Sequence, residues 1–277
     1  VVTGLNYTIL QKTNNLNTNQ VNRLSVQVTL YGLSFLILSS DTGTATLIER
    51  PSETTRTPGE LLDELKKAFI EEESLSESFS KVSVIFSTHF YSLVPSSLFD
   101  ETKASEYLKF NTKFLANDFV SHDLVESHDI QVVYIPFVNM NNYLYEKFGN
   151  FQYFHSATIL LKHFLDKEKY SQETKVFLNV EKGWFDCIII SQGKVVLCNS
   201  YPFKSPEDFL YFSLFALEQL HLNPDAVKVV LSGNIDETTL LYELLYKYIR
   251  HISFIKEVPV IIENEENHKN FVLKAHS

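Results

Sequence analysis

Cysteine, basic runs and long apolar stretches are all scarce in this sequence, and each scarcity removes a class of protein. Two cysteines, Cys187 and Cys198, in 277 residues cannot build a disulfide framework, and neither sits in a C-x-x-C or Cys/His ligand spacing. A reducing, cytoplasmic compartment is the expectation. No run of Lys and Arg occurs, and 24 basic against 34 acidic residues leave a net charge of -10. Such a surface repels nucleic acid phosphates and anionic headgroups, so a nucleic acid partner is excluded. No apolar stretch approaches the roughly 20 residues of a membrane helix, and Val1 to Gln20 has neither a basic n-region nor an apolar h-region. Neither membrane insertion nor export is expected.

What is present is core-forming material. Hydrophobic residues make up 44% of the chain and aromatic residues 13%, enough for the whole to fold. At this length single cores stop growing, so two lobes are expected. Asn14, Asn15, Asn17, Asn19 and Asn22 mark a polar entry segment over 1–23. From Leu24 the pattern alternates through Val26, Val28 and Leu30, Gly32 interrupts, and Phe35 to Leu38 runs apolar. After the turn Asp41-Thr42-Gly43, Thr44 to Ile48 completes three antiparallel strands. Thr57-Pro58-Gly59-Glu60 then reads as a helix start, with Thr57 as cap, Pro58 at the first helical position and Glu60 reaching back. A helix from Pro58 to about Glu72 carries the stripe Leu61, Leu62, Leu65, Ala68 and Phe69.

The second half repeats this order. Val176 to Val180, Phe185 to Ile190 and Lys194 to Asn199 read as three strands, with Gln192-Gly193 turning between the last two. Counting back from that turn pairs Cys187 directly with Cys198, as free thiols. Ser205-Pro206-Glu207-Asp208-Phe209-Leu210 matches Thr57-Pro58-Gly59-Glu60-Leu61-Leu62 position by position, at an offset of about 150 residues. A strand over Ala226 to Leu231, a helix over Asp236 to Arg250 and a strand over His251 to Ile255 follow. Three antiparallel strands, helix, strand, helix, strand is the ribonuclease H-like unit. In the first half Val82 to Phe86, Gln131 to Phe137 and helices near Met140 and Ser156 continue the same series, with an insertion around Pro95 to Asn117. The expected fold class is α/β: two tandem ribonuclease H-like lobes with mixed five-stranded sheets, one over 24–172 and the other over 173–277.

In this layout, and in the stretch Leu24-Ser25-Val26-Gln27-Val28 through Gly32-Leu33-Ser34-Phe35, the chain resembles the actin-like ATPase superfamily. Within it, the chain is similar to an uncharacterised bacterial family, a domain of unknown function noted for that fold. Over Val132 to Leu161 it is also similar to the pilus-assembly and secretion members. Nucleotide-binding members carry D-x-G in the first hairpin of each lobe, where the acid holds Mg²⁺ or its water and the glycine admits the phosphates. Here the first hairpin reads Leu30-Tyr31-Gly32 with Ser34 following, and the second reads Glu181-Lys182-Gly183. The resemblance places Ser232-Gly233-Asn234 at the adenosine. Gly32, Ser34, Glu181, Lys182, Gly183, Gly233 and Asn234 are therefore the candidate cofactor-binding residues. The plain alternative is that these glycines form tight hairpins and a strand end, with no ligand.

Other clusters carry less. Ser121-His122-Asp123 and Ser127-His128-Asp129 repeat a His-Asp pair, but flank a strand-like segment as a solvated edge rather than a metal site. Sequence neighbours do not assemble a hydrolase triad, and no G-x-S-x-G elbow exists. Phe148, Phe151, Tyr153 and Phe154 read as packing residues, and Glu71 to Glu73 as an acid run reaching solvent. The functional expectation is a non-catalytic scaffold or protein-interaction module with a degenerate nucleotide cleft, binding an unidentified protein partner and no cofactor. The alternative is a divergent ATPase using ATP and Mg²⁺. A small-molecule kinase needs a general base, and none is nominated.

Overall fold

The computed structural model describes residues 22–39, 43–109 and 119–277. The entry segment lies outside these residues except for Asn22 and Arg23, as do Asp41-Thr42 of the first turn and the end of the expected insertion. The chain divides into two units: one runs to Thr158 and takes in His276 and Ser277, and the other runs from Ile159 to Ala275.

In the first unit, β1 (Arg23–Thr29), β2 (Gly32–Leu38) and β3 (Ala45–Pro51) form an antiparallel meander. Helix α1 (Pro58–Glu71) returns the chain to β4 (Lys81–Ser87), which is parallel to β1. The helix starts where its side chains satisfy the orphan amides. Thr57 Oγ1 accepts the Glu60 N–H at 3.3 Å, while Glu60 Oε2 accepts the Thr57 N–H at 2.7 Å. Leu61, Leu65, Ala68 and Phe69 are buried, and Phe69 meets Phe35 edge-on at 6.0 Å. This fixes one face of the sheet, that of Leu24, Val26, Val28 and Phe35, against the helix. The acid run at the helix end does not simply face solvent as expected: Glu71 and Glu72 both bind the Arg50 guanidinium on β3.

The chain continues through β5 (Tyr91–Pro95), α2 (Ala104–Leu108), β6 (Ser121–Val125), β7 (Ile130–Tyr134), α3 (Val138–Phe148), β8 (Gln152–His155) and α4 (Ser156–Glu168). One expectation is corrected here. The segment at Gln131 does not join the principal sheet, whose order is β3-β2-β1-β4-β8. It lies instead in a separate antiparallel sheet of order β5-β7-β6, and the fifth principal strand is β8, parallel to β4. Four residues between two helices are too few to show a period of two.

The second unit contains β9 (Thr174–Glu181), β10 (Trp184–Ser191), β11 (Lys194–Pro202), α5 (Pro206–Gln219), β12 (Lys228–Gly233), α6 (Leu240–Tyr248), β13 (His251–Phe254) and α7 (Phe271–His276). Its sheet order, β11-β10-β9-β12-β13, repeats that of the first. Ser205 and Asp208 cap α5 reciprocally, as Thr57 and Glu60 cap α1. Helix α6 begins later than the sequence suggests because Thr239, not Asp236, supplies its cap. One sheet face packs Val176, Leu178, Val180, Phe185, Cys187 and Ile189 with Phe209 and Leu217. On the other face, Phe177 stacks on Phe164 at 4.2 Å, and Phe164 on Phe271 at 5.5 Å.

The direct pairing of the cysteines is also corrected. Ser191 opposes Lys194 and Ile190 opposes Val195, but Ile189 opposes Leu197. Val196 is thus a bulge residue, which shifts the register by one. Cys198 faces Ile188 and Cys187 faces Asn199, and neither is in a disulfide.

Candidate functional site

The β1-β2 hairpin closes on the pair Thr29 and Gly32, leaving Leu30-Tyr31 as the turn. The β9-β10 hairpin closes on Glu181 and Trp184 around Lys182-Gly183. By register, Glu181 therefore corresponds to Thr29, not to Leu30, and Gly32 corresponds to Trp184. The first hairpin still lacks an acid there. The Thr29 hydroxyl is turned inward on its own hairpin, accepting the Tyr31 N–H at 3.1 Å and donating to Gly32 O at 3.2 Å.

The nominated glycines answer to backbone crowding. Gly32 has φ 139°, and an added Cβ would lie 2.2 Å from the Arg50 carbonyl oxygen on β3. Gly233 has φ 84°, and its Cβ would lie 2.2 Å from the Val180 carbonyl oxygen. Gly183, with φ 82°, is the second turn residue and accepts the Phe203 N–H through its carbonyl. Ser34 is half-buried on β2 opposite Gln27, while Asn234 is exposed beyond the end of β12. Within the second unit Gly233 and Asn234 lie against Val180, next to Glu181; Gly32 and Ser34 belong to the first unit.

At the end of β12 the chain uses its own amides. Gly233 N–H donates to His268 O at 2.7 Å, Asn234 N–H to Val180 O at 2.6 Å and Ile235 N–H to Gly233 O at 3.0 Å. The segment before α7 holds this loop further. His268 Nε2 lies 2.7 Å from Ile235 O and must donate, since a carbonyl only accepts. Lys269 pairs with Asp236 at 3.2 Å. The Asp236 carboxyl is held below its usual range, first by the Thr238 side chain and also by Lys269. Three consecutive N–H groups that could cradle phosphate in an open glycine-rich loop are thus committed.

Two residues the sequence reading passed over stand at the centre of each sheet. Gln27 on β1 and Asn179 on β9 each lie two residues before the hairpin-closing position, on the face away from α1 and α5. Both are buried. Gln27 Nε2 donates to Ser87 Oγ at 3.0 Å. Asn179 belongs to a polar row that crosses the second sheet through Ser200, Asp186, Asn179 and Ser232. The Ser200 hydroxyl donates to the Asp186 carboxylate, and Ser232 Oγ donates to Asn179 Oδ1 at 3.0 Å. Asn179 Nδ2 is buried without a hydrogen-bond partner. For Asn179 the available signal was a polar residue interrupting the apolar run Val176 to Val180, whereas Gln27 continues the alternation of Leu24, Val26 and Val28 and reads as a solvent-facing position.

A divalent cation of the Mg²⁺ type requires anionic oxygen, and these central positions offer neutral amides. Among the described residues no three His, Cys, Asp or Glu side chains converge as a metal site. The first His-Asp pair is not the solvated edge expected, because Ser121 and Asp123 are buried, with Asp123 bound by uncharged donors; His128-Asp129 lies in the β6-β7 turn.

Two mixed five-stranded sheets of one order, each led by an antiparallel meander and a capped helix, define the actin-like ATPase fold. A protein of Bacteroides thetaiotaomicron VPI-5482, described as having this fold and unknown function, matches with TM-score 0.79 and 21% identity, over 92% of this chain and 95% of its own. The chain belongs to the family described as protein of unknown function (DUF3822), whose model matches residues 11–252. A type IV pilus biogenesis complex of PilM and PilN shares the fold more distantly, with TM-score 0.55 and 13% identity over 84% of this chain and 88% of that one. No curated protein sequence matches. Among the described residues no helix is long and apolar enough to cross a membrane.

Proposed function

We propose that this chain is a non-catalytic scaffold of the actin-like fold that binds a protein partner in the cytoplasm and has given up Mg-ATP. The observation that carries this reading is the commitment of the Gly233, Asn234 and Ile235 amides to the chain's own carbonyls. The neutral side chains of Gln27 and Asn179 at the sheet centres support it. The PilM–PilN complex supplies a precedent for this fold in a protein assembly, and two cysteines outside any disulfide suit a reducing compartment. Glu181 favours the second reading, a divergent ATPase in which that carboxylate orders Mg²⁺ while Lys182, Gly183, Gly233 and Asn234 of the same unit line the nucleotide.

Calorimetric titration with Mg-ATP separates the two. Loss of one charge-assisted contact costs about 1.5–3 kcal/mol, or roughly 10- to 100-fold in affinity. The expected result is weak or absent binding, with Glu181→Ala indistinguishable from wild type. A micromolar dissociation constant abolished by Glu181→Ala establishes the ATPase instead. Affinity capture from the native cytosol is the companion measurement, and failure to retain any specific protein removes the scaffold reading.

A further inference from the structure

We propose that Asp123 is a protonation-dependent latch holding the inserted β5-β7-β6 sheet to the start of α4, closed while its carboxyl is protonated and loosened when it ionises. Asp123 lies on β6, buried, and reaches out of its own sheet. Its Oδ2 accepts the His155 N–H at 2.7 Å and the Thr158 hydroxyl at 2.8 Å, so it grips the strand end and the first turn of α4. Its Oδ1 takes the Tyr134 hydroxyl at 3.0 Å. Three elements are tied together at one carboxyl.

Among the described residues, the groups that meet that carboxyl are hydrogen-bond donors and none is a cation. Tyr134 comes from β7, Ser121 from β6, Tyr153 and His155 from β8, and Thr158 from α4. The ring of His155 is packed against Tyr91 and Tyr134, with Thr88 Oγ1 at 3.4 Å from its Nε2. Burial pushes His155 down to about 3, so it is neutral at physiological pH. Burial pushes the Asp123 carboxyl up to about 7, against the opposing effect of its three hydrogen bonds. The closed arrangement accommodates the proton without losing a bond. Placed on Oδ1, it donates to the Tyr134 oxygen, and the tyrosine hydrogen turns to Ser121, its direct cross-strand neighbour. Oδ2 keeps both of its donors.

The sign follows from linkage. A carboxyl raised in the closed state contributes stability that is complete below its ordinary pKa near 4, and loses it as pH rises through about 7. Opening returns the group to water, where it ionises freely. Between those two values each pH unit multiplies the ratio of open to closed by up to about tenfold, and above about 7, where both states are ionised, the ratio levels off. Tyr134 is raised well above its ordinary value and stays neutral throughout, so the effect belongs to Asp123.

Two measurements on the full chain test the latch. The first follows the aspartate side-chain carboxyl ¹³C resonances from about pH 3 to about pH 9, with Asp123→Asn giving the assignment. One resonance should titrate near 7, and a midpoint in the ordinary aspartate range overturns the proposal. The second follows hydrogen exchange at the His155 and Ala157 amides from about pH 4 to about pH 7, corrected for intrinsic base catalysis. Opening should rise by up to about tenfold per pH unit in the wild type and stay flat in Asp123→Asn, whose amide reproduces the protonated arrangement. A flat wild type, or an equal slope in the variant, overturns it. Should Asp123→Asn fail to fold, the wild-type exchange profile at His155 decides, a flat profile overturning the latch.

Discussion

The two principal sheets share strand order, meander, capped helix and a buried amide at the centre, yet they finish that centre differently. In the first, Gln27 finds Ser87 and stands beside the small hydroxyl of Ser34. In the second, Asn179 is shorter by one methylene, holds Ser232 through its oxygen and leaves its amide nitrogen unpaired beside the carboxylate of Asp186. The repeat thus conserves placement and lets chemistry drift. The period-two alternation that fixes which residues face inward is set by the backbone, whereas the side chain at the inward position is open to substitution. The first centre has become a closed structural pair, and the second keeps a polar row with an uncompensated donor.

The largest effects should come from the two crowded glycines, which test whether the repeats are equally rigid. Gly32→Ala and Gly233→Ala each combine a positive φ with a Cβ set against a carbonyl oxygen. Each should lose about 3–5 kcal/mol in denaturant unfolding. A loss below about 1 kcal/mol at either would show that its backbone gives way.

The central amides sharpen the contrast at intermediate size. Gln27→Met removes a satisfied pair and strands Ser87, and should cost about 1–3 kcal/mol. Asn179→Leu also removes a donor that is already unpaired, which offsets the loss at Ser232, and should stay within about 1 kcal/mol of wild type. Equal costs in thermal or chemical unfolding would erase the distinction between the sheets. The smallest effects belong to the caps, where the repeats are alike. Thr57→Ala and Ser205→Ala should each cost about 1 kcal/mol, and a difference between them larger than the measurement error would break the equivalence.

The two cap sequences were the most legible feature of the chain, because a capping box is a local device whose residues all lie within one turn. They located both helices and, through them, the repeat. The hairpins were legible for the same reason. Assigning the strand at Gln131 failed because strand partnership is not local: β7, with five residues, is longer than the four-residue β8 that does join the principal sheet, and only tertiary pairing sends it to another sheet. The Val196 bulge was invisible to a count from the turn, since one extra residue leaves composition unchanged. At the candidate site, the turn glycines drew notice through their residue type. Their actual constraint, a neighbouring carbonyl 2.2 Å from the missing Cβ, exists only in three dimensions. Asn179 was readable in principle, a single polar letter within the apolar run Val176 to Val180, whereas Gln27 occupies an alternating polar position that reads as solvent-facing.

The bulge in β11 also bears on how copies of the chain meet. This strand forms the outer edge of its sheet and spans nine residues, long enough to template another strand. An unpaired Val196 in the middle twists the strand locally and breaks the even spacing of its outward amides and carbonyls. Pro202 removes one further donor at its end. A second chain approaching this edge would find no uninterrupted ladder to extend, so the same irregularity that separates Cys187 from Cys198 protects the protein against edge-to-edge aggregation.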